Sequence, residues 1–306
     1  MPCVAKDARK GPADPLQERR AAGRLRAQGR PTRWLSGNPI MAPKLRIPTR
    51  LDKKPLVEAI FELRWALHGD EARQRDAGFR LLLGRYYDKV RHAYPALRDL
   101  PASQLPEELA AYVVRHQFRA SENGWPVIQL GPGLLTVNDT AGYTWDGFRP
   151  RVLEASGALF DSYPVEVASL DPVQVQLRYQ NALEYDPEDA VLTDFLRDRL
   201  HTGIQVDPEL YSRSGGASNP HSIHLNLLMR LTDPPGEVSL LVASGEKDST
   251  PAIVLELLVR SLGLQTPESL QQLGGWLDRA HKVIEEWFFT LCRGDLVERF
   301  KPSYED

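Results

Sequence analysis

The feature that most constrains the fold is a strict alternation of apolar and polar residues over residues 173–181. Val173, Val175, Leu177 and Tyr179 alternate with glutamines and an arginine. Because successive side chains of a strand point to opposite faces of a sheet, this pattern predicts a strand with one buried and one solvated face. Such a strand is typical of an antiparallel sheet that carries helices on one face.

The same two kinds of periodicity recur along the chain. Alternation predicts strands at 58–66, 111–119, 173–181, 223–231, 238–243 and 252–260, and two short strands within 125–138. Helical spacing of apolar residues predicts helices at about 71–94, 148–163, 186–200 and 268–292. Gly131-Pro132-Gly133 predicts a bend between the two short strands, because a phosphate-binding loop needs backbone N–H groups and proline has none.

We therefore predict an α+β fold of two similar halves, at 41–165 and 166–306, and a long C-terminal helix. Each half is expected to be an antiparallel sheet with helices packed on one face. Leu63-Arg64-Trp65 and Leu177-Arg178-Tyr179 open the two halves with related residues, which together with the repeated order of elements indicates an internal duplication. The pattern leaves open whether the halves are separate domains or parts of one sheet.

Residues 1–40 differ in composition from the rest of the chain. They contain nine basic and three acidic residues, so the net charge of −3 divides into +6 for residues 1–40 and −9 for residues 41–306. With little apolar periodicity, this segment is expected to be disordered. It is interpreted either as a basic arm for nucleic acid or as a non-functional extension produced by a start assigned upstream of Met41.

The remaining composition excludes several classes of protein. Cys3 and Cys292 are too few and too far apart for a disulfide framework or a cysteine-based metal site. No apolar run approaches the ~18 residues that span a bilayer, so we expect no membrane association. The absence of an apolar secretory segment predicts a cytoplasmic protein. An acidic balance beyond residue 40 is not that of a general nucleic-acid binder.

No motif in the sequence supports catalysis, and we predict no cofactor, metal site or catalytic residue. His281 shares a helix face with Asp278 and Glu285, but no further metal-ligand motif accompanies it. The non-enzymatic interpretation is therefore favoured. The alternative is an enzyme acting on a nucleotide or nucleic acid, with His224 or His281 as acid or base.

The polar positions of the predicted strands are rich in planar hydrogen-bonding groups, which bind carboxylates and phosphates bidentately. If the strands are neighbours, these groups form one binding surface for a protein or an anionic ligand, and Arg64, Arg178 and Asn226 must share it. The C-terminal tail is predicted to contact a partner or a second copy through Leu296 and Phe300. The candidate binding residues are Arg64, Arg115, Gln176, Arg178, His224, Asn226 and Arg230.

Several stretches together carry a resemblance to a known family. They are residues 55–62, 125–133, 136–138, 143–145 and 177–181, with Ala280-His281 in the last helix. Over about residues 50–292 they resemble a sporadically distributed bacterial family of hypothetical proteins. The resemblance implies a natural start at Met41 and a link to mobile or defence genes, and it brings no established activity, cofactor or catalytic residue.

Overall fold

A computed structural model describes most of the chain beyond residue 45. The described residues are 46–69, 74–140, 142–188, 190–216 and 219–304. They belong to one unit that spans residues 45–306. The predicted extension at residues 1–40 lies outside the described residues.

Among its described residues, the first part of the chain contains six strands and two α-helices. The second of these helices begins at Trp145, three residues before its predicted start, and Thr144 caps it by accepting a hydrogen bond from the Gly147 amide. The elements are β1 (Arg50–Leu51), β2 (Leu56–Trp65), α1 (Phe79–Val90), β3 (Ala96–Asp99), β4 (His116–Arg119), β5 (Val127–Gly131), β6 (Leu134–Asp139) and α2 (Trp145–Ser162).

The described residues of the second part form five strands and four α-helices. Ser269 caps its longest helix by accepting a hydrogen bond from the Gln272 amide, and this confirms the predicted long C-terminal helix. The elements are β7 (Pro172–Glu184), α3 (Leu192–Asp198), α4 (Pro208–Ser214), β8 (His224–Thr232), β9 (Pro235–Lys247), β10 (Thr250–Leu262), α5 (Leu270–Cys292), α6 (Asp295–Arg299) and β11 (Pro302–Ser303).

Nine of the strands form one antiparallel sheet, in the order β3-β4-β5-β6-β2-β7-β10-β9-β8. The pair β2–β7 joins the two predicted halves, so strands from both belong to a single continuous sheet. The strands β1 and β11 form a separate two-stranded ribbon. The α+β class and the antiparallel sheet are confirmed, whereas the similarity of the two halves stays a prediction.

The two faces of the sheet differ in what they contact. On the first, the helix face, strand residues such as Phe61, Leu177 and Leu257 join the buried side chains of the helices in one hydrophobic core. On the second, the polar face, strand residues such as Glu62 and Gln176 lie outside that core. The register assigns each residue to a face, because residues directly opposite on neighbouring strands point the same way.

The predicted bend at Gly131-Pro132-Gly133 is the turn between β5 and β6. A side chain at Gly131 would place its Cβ 2.0 Å from the Val113 carbonyl oxygen, so only glycine fits there. Gly133 has a φ of +76°, a conformation that favours glycine. Two glycines are therefore required for close approach and for the turn, which confirms the structural interpretation of this motif.

None of the helices in the described part of the chain is long and apolar enough to cross a membrane.

Candidate binding face

A row of polar side chains crosses the polar face from one edge of the sheet to the other. It takes one residue from every strand, and each residue lies directly opposite the next. With about 4.8 Å between neighbouring strands, the row is about 38 Å long. This polar row consists of Arg98, Gln117, Gln129, Thr136, Glu62, Gln176, Arg260, Glu237 and Arg230.

The carboxylates of the polar face are held by neighbouring donors. The Arg64 Nε atom donates to Glu62 Oε1 at 2.6 Å, and Gln174 donates to the same oxygen at 3.3 Å. The Arg260 Nε atom donates to Glu237 Oε2 at 2.9 Å. These bonds are made along and across strands, so they fix the side chains without any contribution from the hydrophobic core.

Arg178 occupies the middle of this arrangement on β7. One of its terminal nitrogens lies 3.8 Å from Glu256 Oε2, which also accepts a hydrogen bond from Gln180 at 2.8 Å. The Nε atom of Arg178 is buried and has no hydrogen-bond partner among the described residues. This guanidinium is thus only partly satisfied, and about a third of the side chain stays exposed.

Other arginines of this face make no ion pair with a described carboxylate. Arg98 is exposed, and Arg230 is exposed on the outermost strand. Arg119 donates to the Gly124 carbonyl oxygen at 3.1 Å, and its guanidinium lies 5.4 Å from the Trp125 ring centroid. The face thus combines satisfied carboxylates at its centre with available cationic groups near both edges.

The register places six of the seven candidate binding residues on the polar face, and Arg64, Arg178 and Asn226 share it. The seventh, Arg115, precedes β4 and lies outside the register. Arg64, Gln176 and Arg178 lie together on the central strands. The three residues of β8 lie at the edge, separated from β7 by β10 and β9, so the seven do not form a single cluster. Their role in binding stays a prediction.

Individual environments distinguish these candidates further. Gln176 is only 8% exposed and accepts a hydrogen bond from Gln174. His224 is exposed, and Asn226 accepts a hydrogen bond from Ser239 at 3.0 Å. Arg115 precedes β4 and donates to the carbonyl oxygens of Ser103 and Leu105, which makes it an anchor for the loop before that strand.

The two histidines of the enzymatic alternative occupy different environments. His281 lies on the helix side, where its Nδ1 is 2.8 Å from the Tyr179 hydroxyl and its ring stacks on Trp145 at 3.9 Å between centroids. Burial lowers the pKa of His281 to about 4, so this ring is neutral at pH 7. His224 lies on the polar face of β8, so the two histidines do not meet in one site.

A histidine that the sequence did not single out lies at a cavity. His116 Nδ1 is 2.8 Å from Asp99 Oδ1, and Phe79 stacks on the histidine ring. The cavity has a volume of about 590 Å³, and Glu107 and Arg115 also line it. Within the described residues, no group of three or more histidine, cysteine or acidic residues is arranged to hold a metal ion.

The two predicted contact residues of the tail are not exposed anchors. Leu296 is 2% exposed and Phe300 is 8% exposed, and both belong to the hydrophobic core. The short helix α6 folds the chain back so that Phe300 stacks on Phe288 of α5, with ring centroids 6.0 Å apart. Their apolar surface is therefore used within the chain, which corrects the prediction of a partner contact.

Sequence reasoning missed part of the polar face. Glu256 and Arg260 alternate with the buried Leu255, Leu257 and Val259, a pattern that identifies their face once β10 is assigned as a strand. Only the register across the sheet shows that these residues lie beside Gln180 and Gln176.

No protein-family model matches this chain, and no curated protein is significantly similar to it. The resemblance over residues 50–292 therefore stays a prediction.

Proposed function

We propose that the protein is a non-enzymatic binding protein whose polar face holds a protein partner through the polar row. The observation that carries the proposal is the unbroken row of polar side chains across nine strands. Arginine and glutamine side chains offer planar donors and acceptors, which suit carboxylates and peptide groups of an extended segment. An origin among defence or mobile genes, implied by the family resemblance, belongs to the same proposal.

The charge distribution favours a protein over a nucleic acid on this face. Glu62, Glu256 and Glu237 lie among the arginines, and a phosphate backbone laid across them would meet like charge. A protein surface instead offers both donors and acceptors. Residues 1–40 keep both interpretations, a basic arm for nucleic acid or a non-functional extension.

The experiment compares proteins that co-purify with the tagged full chain and with two polar-face variants. Arg98→Glu reverses the charge at one end of the row. Arg178→Ala removes the partly satisfied guanidinium on β7, the strand that contributes Gln176 to the row. Arg197→Glu on α3 is the matched control, because its side chain is exposed and lies on a helix. Unfolding midpoints of all variants establish that each is folded.

The proposal predicts a stoichiometric protein partner that is lost or strongly reduced with both polar-face variants and retained with Arg197→Glu. Retention of the partner by both polar-face variants would place the contact elsewhere. A wild-type chain that captures only nucleic acid, or no stoichiometric protein, would also contradict the proposal.

A further inference from the structure

The outermost strand β8 leaves one whole edge of the sheet open. Within the sheet it pairs with β9 alone, over nine residues from His224 to Thr232. A strand edge of this length presents a row of backbone donors and acceptors, which is a template for pairing with another strand.

The backbone hydrogen bonds identify which groups point outward. The Ser244 amide donates to the Ile223 carbonyl oxygen at 2.9 Å, so Ile223 turns its backbone towards β9. In an antiparallel pair this orientation alternates along the strand. The N–H and C=O groups of Asn226, Leu228 and Arg230 therefore face away from β9, and among the described residues they have no hydrogen-bond partner.

The side chains of β8 are unusually apolar for an exposed edge. Leu228 on the polar face is 54% exposed, and Leu227 and Met229 on the helix face are 40% and 38% exposed. The opposite edge, β3, has only four residues, two of them charged, and leads into Pro101. Short, charged edges resist pairing, whereas long apolar edges favour it.

We propose that β8 pairs antiparallel with β8 of a second copy of this chain, about a two-fold axis at Leu228. Leu228 is the midpoint of the strand, so this register uses its full length and forms about ten backbone hydrogen bonds. We infer a second copy as the partner of this edge because the strand is complementary to itself in this register. Closed two-fold pairing is also the commonest symmetry of soluble oligomers.

The side chains fit this register on both faces. On the helix face, Leu227 lies opposite Met229 of the second copy and Leu225 lies opposite Leu231, so only apolar residues meet. On the polar face, Leu228 meets its own copy and Arg230 meets Asn226. Like charges directly opposite are destabilising in a sheet, and this register avoids an Arg230–Arg230 pair.

The test is sedimentation equilibrium of the full chain over a wide range of concentration. The chain has a mass of 34.4 kDa, and the proposal predicts a reversible approach to twice that mass. Leu228→Lys places two lysines on the axis and is expected to leave the monomer. Leu109→Lys is the matched control, because Leu109 is 67% exposed and lies outside the sheet, so the dimer persists.

A pair of substitutions at one position tests the register. Asn226→Arg places an arginine opposite Arg230 of the second copy on both sides of the two-fold axis. The repulsion is expected to raise the dissociation constant of the dimer by about tenfold or more. Asn226→Glu sets glutamate against the same arginine and is expected to strengthen the dimer. Equal effects of the two variants would overturn the proposed register.

Two further outcomes would overturn the dimer itself. One is a wild-type chain that remains monomeric at every concentration. This result contradicts the proposal even if a chain without residues 1–40 forms a dimer. The other is a dimer that Leu228→Lys leaves intact, since its interface would then lie elsewhere. These measurements substitute no residue of the polar row, so their failure leaves the proposed partner binding to be judged separately.

Discussion

The two faces of the sheet are built from the same strands, but different interactions bury them. Phe61 and Leu177 on the helix face are 0% exposed because helix side chains close over them. Glu62 and Gln176 on the polar face are each 8% exposed, and hydrogen bonds to neighbouring strand residues surround them. Similar burial therefore has two origins, and the two faces should respond differently to substitution.

The largest effect is expected when a side chain is removed from the helix face. Phe61→Ala should lower the free energy of unfolding by about 3–5 kcal/mol, since it removes buried surface and leaves a cavity between sheet and helices. Urea denaturation measures the loss. Ile60→Ala on the polar face is the neighbouring control. Ile60 is also buried, at 5% exposed, but it lies outside the cluster that the helices close, so its loss should be smaller. Equal losses would contradict the difference between the faces.

A second prediction uses the titration of His281 on the helix side. Its pKa is lowered to about 4 in the folded chain, against about 6.5 when unfolded, so the unfolded chain binds more protons between these values. Stability should be fully present above about pH 6.5 and fall by about 2–3 kcal/mol as the pH drops towards 4. Unfolding free energies across this range measure it.

The control for this titration is His281→Gln, because a glutamine side chain does not take up a proton in this pH range. Asp278 and Asp146 oppose the effect by favouring the protonated ring, and they remain in both proteins. The difference between wild type and variant should therefore change with pH in the direction stated. A difference that stays constant between pH 4 and 7 would show that His281 is not buried as neutral imidazole.

A third prediction concerns a buried polar pair on the helix face. The Trp276 indole donates to Ser261 Oγ at 2.8 Å, and both residues are almost fully buried. Ser261→Ala leaves that indole N–H without a partner and should cost about 1–3 kcal/mol in denaturation experiments. Ser239→Ala is the matched control on the polar face, where water can replace the bond to the exposed Asn226. A control loss as large as that of Ser261→Ala would contradict this interpretation.

The smallest effects are expected among the arginines of the polar face. Arg64→Ala removes the closest partner of the Glu62 carboxylate and should cost about 1 kcal/mol, because Gln174 and water retain part of its stabilisation. Arg98→Ala should change stability by less than about 0.5 kcal/mol, since its side chain is exposed and makes no ion pair with a described residue. Thermal unfolding of the two variants checks the order.

The sequence predicted the strands better than their arrangement. The alternation in 173–181 identifies β7, because a half-solvated strand repeats its pattern every two residues. The helix predicted at 71–94 begins only at Phe79, since Asp76 is held by Trp65 and Tyr163 from distant parts of the chain. Such bonds depend on tertiary structure, and local periodicity contains no sign of them.

For the candidate site, too, local periodicity predicts some features, whereas others depend on tertiary structure. Alternation correctly places Arg178 and Asn226 opposite the apolar positions of their own strands. It does not show that β7 lies at the centre and β8 at an edge, which decides that one side chain is half-buried and the other exposed. Phe300 was misjudged for a related reason, since a tail after a helix gives no local sign that it returns to the core.

The small ribbon formed by β1 and β11 has a consequence for the order of folding. Thr49 and Ser303, which are bonded at its end, are separated by 254 positions in the sequence. Closing so long a loop costs conformational entropy, and the ribbon offsets that cost with two residue pairs and a few neighbouring backbone hydrogen bonds. The ribbon should therefore form after the sheet and open before it, so its amides should exchange hydrogen for deuterium well ahead of those in β2 and β7.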